Sequence, residues 1–311
     1  MKRRTFLKNF GCTATLSWLG CPALGSAAAS IAPGTTAEHT VLSCNIRVAL
    51  PEDEATGNSW ASRRQLCIDV IRAQKPDLVC LQEVIREQMV DLEAAFPTFA
   101  SFGFDGPEMD GHLTGYHGIA KNPILYSRER YEFISAGGFW LSEAPHLPGS
   151  LSWESARARH VNWLRLRERS SRRQFRILNT HLDHVSQRAR EEQVKMILAE
   201  AALYTPDFPQ LLAGDFNADA TNPVLKLALD AGWINTHQVA PGPRDDGRTV
   251  HSFMGEQYRP KTEAGRKRGA IDFILTRGPI ATLSWKILRD SRDGRYPSDH
   301  YFVAAKVVFN P

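Results

Sequence analysis

Six strand-length apolar runs in this chain end on, or enclose, an acid, an amide or an imidazole. The clearest is "LLAGDFNADA", residues 211–220, in which an aliphatic run and a glycine lead into Asp215, Phe216 and Asn217. A strand buried on both faces reads as a continuous apolar run rather than an alternating one. Residues two apart on a strand point the same way. Asp215 and Asn217 are therefore expected to leave the strand side by side, at the rim of a sheet covered on both faces. "TVLSCNIRV" likewise runs into Asn45, and "PDLVCLQEV" into Gln82 and Glu83. "FRILNTHLDH" delivers Asn179, His181 and Asp183 at alternating positions. "GAIDFIL" holds Asp272 within an apolar strand, and "RYPSDHYFVAAKVVF" sets Ser298, Asp299 and His300 just before the last one.

Each placement alone has an ordinary explanation. A single Asn or Asp at a strand end commonly forms a turn or caps a helix. A carboxylate inside an apolar strand is different, because burying it without a partner costs several kcal/mol or more. Glu83 and Asp272 therefore demand an arginine, a histidine or a metal. Six placements drawn only from acids, amides and imidazoles point to one shared site.

Strand patterns fall at 40–46, 77–82, 123–127, 131–136, 160–167, 174–180, 210–214, 271–276, 282–288 and 301–309. Helical patterns fall at 60–74, 86–95, 187–203 and 221–229. So many strands with so few helices predict an α/β fold of two packed sheets with helices outside. No linker, repeat or low-complexity tract interrupts residues 31–311, which read as one domain.

Residues 1–30 read as a targeting segment rather than part of that domain. Arg3 and Arg4 precede a weakly apolar stretch from Gly11 to Leu24 and the small-residue run Ala27-Ala28-Ala29. This resembles a twin-arginine export signal, which implies a periplasmic or secreted protein. Lys2, Arg3, Arg4 and Lys8 account for the whole excess of 38 basic over 34 acidic residues, so removing the segment leaves 34 of each sign. A protein that grips duplex nucleic acid by its backbone normally shows a basic excess, and this one lacks it. The three cysteines beyond the segment, Cys44, Cys67 and Cys80, sit in apolar stretches at irregular spacing, which is no disulfide framework. No later apolar run is long enough to span a bilayer, and no protein partner is indicated.

Convergent carboxylates with amide support suit a hard divalent cation, Mg²⁺ or alternatively Mn²⁺; zinc would call for clustered Cys and His. A histidine paired with a carboxylate beside such an ion can move a proton to or from water, and Asn and His donors can hold phosphate oxygens. These parts suit in-line attack of water on phosphorus.

The stretches "SCNIR", "LQEV", "NTHLDH", "GDFNAD", "IDFIL" and "YPSDH" resemble, in content and order, the endonuclease/exonuclease/phosphatase superfamily, on its deadenylase and nocturnin side. The resemblance spans residues 41–309. It implies a four-layer α/β/β/α sandwich of two mostly antiparallel sheets and a phosphoester hydrolase acting on phosphodiesters or phosphomonoesters. It implies Glu83 as the principal metal ligand, Asn45 orienting that ligand or a metal-bound water, and Asp299 helping to bind metal. It further implies Asp215 positioning or deprotonating the attacking water, Asn217 holding a phosphate oxygen and His181 stabilising the pentacovalent phosphorus. His300 would be the acid/base group, with Asp272 fixing its tautomer. One departure stands out. Where many relatives carry a glutamate before an "NPI" stretch, this chain has Ala120 and Lys121; the resemblance leaves Tyr116, His117 or another group as the substitute partner for His181.

Two arginine-rich stretches bear on the substrate, a phosphate ester with nucleic acid as one alternative. In residues 156–176, Arg165, Arg167 and Arg169 alternate and read as a solvated strand face. In residues 258–273, Arg266, Lys267 and Arg268 lie on a loop leading to Asp272 and are candidates for substrate contact. Two other readings stay open: an extracellular nuclease, and a non-catalytic binding module that kept the fold.

Overall fold

The computed structural model describes residues 37–103, 112, 114–263, 265 and 269–310. The export-signal segment and the Arg266–Lys267–Arg268 candidates lie outside the described residues.

The described chain opens with β1 (His39–Asn45), a one-turn α1 (Glu52–Ala55), α2 (Trp60–Ala73), β2 (Leu78–Gln82), α3 (Arg86–Ala95), β3 (Phe99–Phe102) and β4 (Ile124–Ser127). It continues through β5 (Tyr131–Trp140), β6 (His160–Glu168), β7 (Gln174–His181), α4 (Gln187–Ala201), β8 (Gln210–Asp215), α5 (Pro223–Asp230), β9 (Ile234–Asn235) and α6 (Thr236–Val239). It closes with β10 (Asp272–Arg277), β11 (Ile280–Leu288) and β12 (Phe302–Phe309). Two six-stranded sheets result, ordered β11-β12-β1-β2-β4-β3 and β5-β6-β7-β8-β10-β9. Most neighbours are antiparallel, but each sheet has a parallel pair at its centre: β1 with β2, and β7 with β8. A parallel pair needs a crossover, supplied by α2 in one sheet and α4 in the other.

The apolar runs are explained by burial on both faces. Along β8, Leu211 and Ala213 enter the core between the sheets, while Leu212 packs under α4 and α5 with Val194, Ile197 and Val224. Along β1, Val41 faces the other sheet, while Leu42 and Cys44 meet α2 and α3 through Cys67, Ile71 and Leu92. Three apolar layers thus hold four structural ones. α4 is capped by Ser186, which accepts from the Ala189 amide, and α5 by Asn222 with Pro223 following. Burial drives all three thiols up, Cys67 to about 12, so they are inert core residues. None of the described helices is long and apolar enough to cross a membrane.

The strand patterns miss β3 and β9. β3 is a four-residue, half-buried edge strand and β9 has two residues, so neither carries a sustained periodicity.

Candidate active site

The parallel pairs fix where the polar residues go. β1, β2, β7 and β8 all release the chain at one end of the sandwich, where their antiparallel partners β12 and β10 begin. Ladder register sets His181 opposite Asp215, and Asp215 opposite Asp272. Gly214 permits this spacing. Its φ is +156°, and a Cβ there would lie 2.1 Å from the Thr180 carbonyl of β7, so only glycine lets β8 approach so closely.

Beyond the strand ends the backbone turns through left-handed residues, with φ of 58° at Arg47, 64° at Glu83 and 48° at Asn217. Non-glycine residues in this region cost about 1–3 kcal/mol each, and such strain gathers where geometry serves function. Here it turns the Glu83 and Asn217 side chains in beside Asn45 and His181.

Asn45 is the hub. Its Nδ2 donates to Glu83 Oε1 at 3.1 Å and to Asp215 Oδ2 at 3.0 Å, and its Oδ1 accepts from the Arg47 amide at 3.0 Å. With its Nδ2 committed to both, Asn45 holds two carboxylates in place, and its Oδ1 already accepts one bond from the backbone, which favours the orienting role over direct ligation. Glu83 Oε2 also accepts from the Val48 amide at 3.0 Å. Asp215 Oδ1 accepts from the Asn217 amide at 2.9 Å. Asn217 Nδ2 donates to His181 Nε2 at 2.9 Å and to the Leu182 carbonyl at 3.1 Å. His300 Nδ1 lies 2.9 Å from Asp272 Oδ2, and its Nε2 lies 3.9 Å from Asp215 Oδ2.

Of the alternatives left open for the missing glutamate, the geometry selects a group other than the two named. Asn217, not Tyr116 or His117, holds His181; His117 bonds the Thr114 carbonyl and stacks on His112. Lys121 bridges to Val84 and lies over the Trp140 ring.

Burial and crowding set the charge states. Burial, reinforced by Asp272, pushes Asp215 up to about 7 despite the opposing effect of His300 and the Asn217 and Asn45 bonds. Burial alone would depress His300, but Asp272, Asp215 and Asp299 outweigh it and raise the imidazole well above its usual value. Burial works against the charge on Glu83 too, but the Val48 amide, His300, Asn45 and Arg47 hold its carboxyl below the usual range. Asp299 is raised by burial and by Glu83. His181 is lowered well below its usual value by burial and by Arg159, so it is neutral and accepts the Asn217 bond at Nε2.

Donor atoms of Asp215, Asp272 and His300 lie within 4.8 Å of one another, a buried set able to hold a metal. The short His300–Asp272 bond already engages one nitrogen and one oxygen of that set. Glu83 and Asp299 make no hydrogen bond to a histidine, and Glu83 raises the Asp299 carboxyl, so the two acids oppose each other's charge. A divalent cation between them would neutralise charge that the protein alone leaves unbalanced.

A cleft of about 260 Å³ opens over this cluster, lined by Glu83, His181, Asp215, Asn217 and His300 together with Arg47, Arg157, Arg159 and His184. The four basic residues are the site members that strand-end reasoning misses. The signal for two of them was present in the "ARARH" run, which the structure divides. Arg157 and Arg159 face the cleft, while Arg165 pairs with Gln174 and Arg167 with Glu132 on β6, and Arg169 bonds the Arg128 carbonyl just beyond it. Arg159 Nε is buried with no hydrogen-bond partner, and no carboxylate pairs with this guanidinium among the described residues. Of the other residues that sequence singled out, Asp183 caps the 183–186 turn through the Val185 and Ser186 amides. Gln82 and Asn179 join the two sheets by a 2.7 Å bond beneath the site.

A profile of the "Endonuclease/Exonuclease/phosphatase family" matches residues 42–300. Nocturnin of Mus musculus is 25% identical over 273 residues, 81% of this chain; the chain spans 59% of that relative's length. An endonuclease/exonuclease/phosphatase family protein of Bacteroides thetaiotaomicron superposes with a TM-score of 0.78 at 25% identity, over 89% of this chain and all of the other. A mannosyl-6-phosphatase of the same organism superposes with a TM-score of 0.76 at 25% identity, over 87% of this chain and all of the other.

Proposed function

Because the chain belongs to the endonuclease/exonuclease/phosphatase family, whose members hydrolyse phosphoester bonds, we propose that it is a divalent-metal-dependent phosphoesterase. The observation that carries the reading is a single cleft in which carboxylates, three histidines and a guanidinium with no carboxylate partner among the described residues meet. The guanidinium wants an anion, and the acid cluster wants a cation.

In this reading Arg159, with Arg47, Arg157 and His184 on the same wall, binds the phosphate and aligns it. Mg²⁺, or Mn²⁺, held by Glu83 and Asp299, would supply Lewis-acid polarisation of the phosphoryl oxygen and relief of the local negative charge. Asn45 keeps Glu83 and Asp215 in register. Asp215 takes the proton of the attacking water. Asn217 and His181 sit beside Asp215 to stabilise the phosphorus centre as charge builds on its oxygens. His300, held by Asp272 through Nδ1, gives a proton from Nε2 to the leaving oxygen.

Relatives of this kind include a mannosyl-6-phosphatase, which supports a small phosphate ester as substrate. The even charge of residues 31–311 supports the same choice over a nuclease. The intact acid/base set speaks against a non-catalytic module. The test is hydrolysis of p-nitrophenyl phosphate and bis(p-nitrophenyl) phosphate by purified protein with Mg²⁺, Mn²⁺ or EDTA. Turnover that EDTA abolishes is expected; no turnover, or turnover indifferent to EDTA, rejects the proposal. We also read residues 1–30 as a twin-arginine signal delivering the folded enzyme to the periplasm or medium. Arg3→Lys with Arg4→Lys should leave the protein unprocessed in the cytoplasm, and normal export of that variant would refute this.

A further inference from the structure

The catalytic cleft does not end at the phosphate. A second groove of about 830 Å³ adjoins it and shares Leu50, Tyr116 and Arg157 with it. Its chemistry is the reverse of the cleft's. Trp60 lines it, held by an Nε1–H bond of 2.8 Å to Asp91 and by Arg63 stacked 5.1 Å from its ring. Glu52, Glu54 and Glu87 line it as well, and none of the three has an ion-pair partner among the described residues. Arg157, at the junction, is the only Lys or Arg on its wall among the described residues.

We propose that this groove seats the organic part of the substrate, and that this part is a phosphate-free, hydroxyl-bearing ring: a sugar, or the nucleoside of a nucleotide monoester. The proposal rests on the reading of the adjoining cleft as a phosphoester site. Three features carry it. Carboxylates only accept hydrogen bonds, so three of them around one groove match a ligand that mainly donates, as ring hydroxyls do. Tyr116, half-buried against the core that holds Trp60, offers aromatic surface to the apolar face of a ring, and the volume suits a ligand of that size. The same carboxylates repel a second phosphate, so a polynucleotide running through the groove would meet charge of its own sign. In the reaction, the water oxygen bonds to phosphorus, the ester P–O bond breaks, and the ring leaves as an alcohol carrying the proton from His300.

The test compares kcat and KM for glucose 6-phosphate, adenosine 5′-monophosphate, p-nitrophenyl phosphate and a short oligonucleotide, with Mg²⁺ present. At least one ring monoester is expected to exceed the oligonucleotide tenfold in kcat/KM, and the better of the two distinguishes sugar from nucleoside. Glu87→Gln should raise KM for that monoester at least fivefold more than KM for p-nitrophenyl phosphate, whose ring has no hydroxyl. Glu52→Lys with Glu54→Lys should narrow the gap to the oligonucleotide at least threefold. An oligonucleotide cleaved as well as the monoesters, or Glu87→Gln shifting every substrate alike, overturns the proposal. If no ester is cleaved, the phosphoesterase reading fails. The groove is then judged by calorimetry with glucose 6-phosphate and adenosine 5′-monophosphate, where binding weakened by Glu87→Gln supports it and no binding overturns it.

Discussion

At the far end of the sandwich Arg130 lies 2.8 Å from Asp77 and 3.1 Å from Glu168, and Glu168 also accepts from Ser171. At the near end Glu83, Asp215, Asp272 and Asp299 gather, and among the described residues the closest guanidinium contact any of them receives is 3.7 Å, from Arg47 to Asp299. Both ends of the parallel strands therefore bury acids, under opposite rules. The far cluster is paired, with His39 between Tyr131, 2.6 Å away, and Glu168, 3.6 Å away. The near cluster is short of positive charge, sits on left-handed backbone and opens to a cleft. A buried polar group that is fully partnered serves the fold. One left under-neutralised costs stability and is retained for what it binds.

The largest expected effects break this contrast from the near side. Glu83→Gln should lower turnover about 10³-fold, the scale of removing a principal electrostatic contributor, yet change unfolding free energy by no more than about 1 kcal/mol. Steady-state rates beside urea denaturation measure both. A loss of several kcal/mol in stability would make Glu83 a structural residue like those at the far end. Arg130→Ala should do the reverse. It strands Asp77 and Glu168, and with a fifth of the arginine exposed the cost should be about 2–3 kcal/mol. The rate per folded molecule should stay within about twofold. A fall in that rate at full stability would show that the two ends are coupled.

pH sharpens the same comparison. Burial and Arg130 lower His39 to about 4, against the weaker pull of Glu168, so the imidazole is neutral in the folded protein despite the nearby acid. Its unfolded form takes up a proton near 6.5. Below that value the unfolded chain binds more protons than the folded one, so stability present above pH 6.5 is lost as pH falls towards 4. Between pH 7 and 5 this histidine alone should account for about 2 kcal/mol. His39→Gln should remove that much of the acid slope measured by denaturation at the two pH values. An unaltered slope would mean that His39 is charged within its cluster.

How much of this was legible in the chain depends on range. The doubly buried strands were readable because burial on both faces writes an apolar run, and the left-out strands were those too short to write anything. The acids and histidines at the rim were readable because each interrupts such a run. His181's partner was not, because Asn217 reaches it only after β8 has been laid parallel to β7, a pairing with no local signature. Nor was the division of the arginine stretch: Arg159 and Arg165 belong to one basic run, but the turn into β6 sends the first to the cleft and the second along the sheet.

That division supplies the mildest expected effect. Arg159 has an unsatisfied buried Nε and borders His184, 3.3 Å away, whereas Arg165 bonds Gln174 and lies over the rings of Tyr204 and Phe208. If Arg159 grips the phosphate in ground and transition state alike, Arg159→Ala should raise KM about tenfold, near 1.4 kcal/mol, with kcat changed far less. Arg159→Lys should recover only part of this, since an ammonium cannot reproduce a guanidinium's planar fork. Arg165→Ala should leave both constants as they are. An equal fall in kcat and kcat/KM for Arg159→Ala would instead place its contact in the transition state, moving this residue from substrate binding to the chemical step.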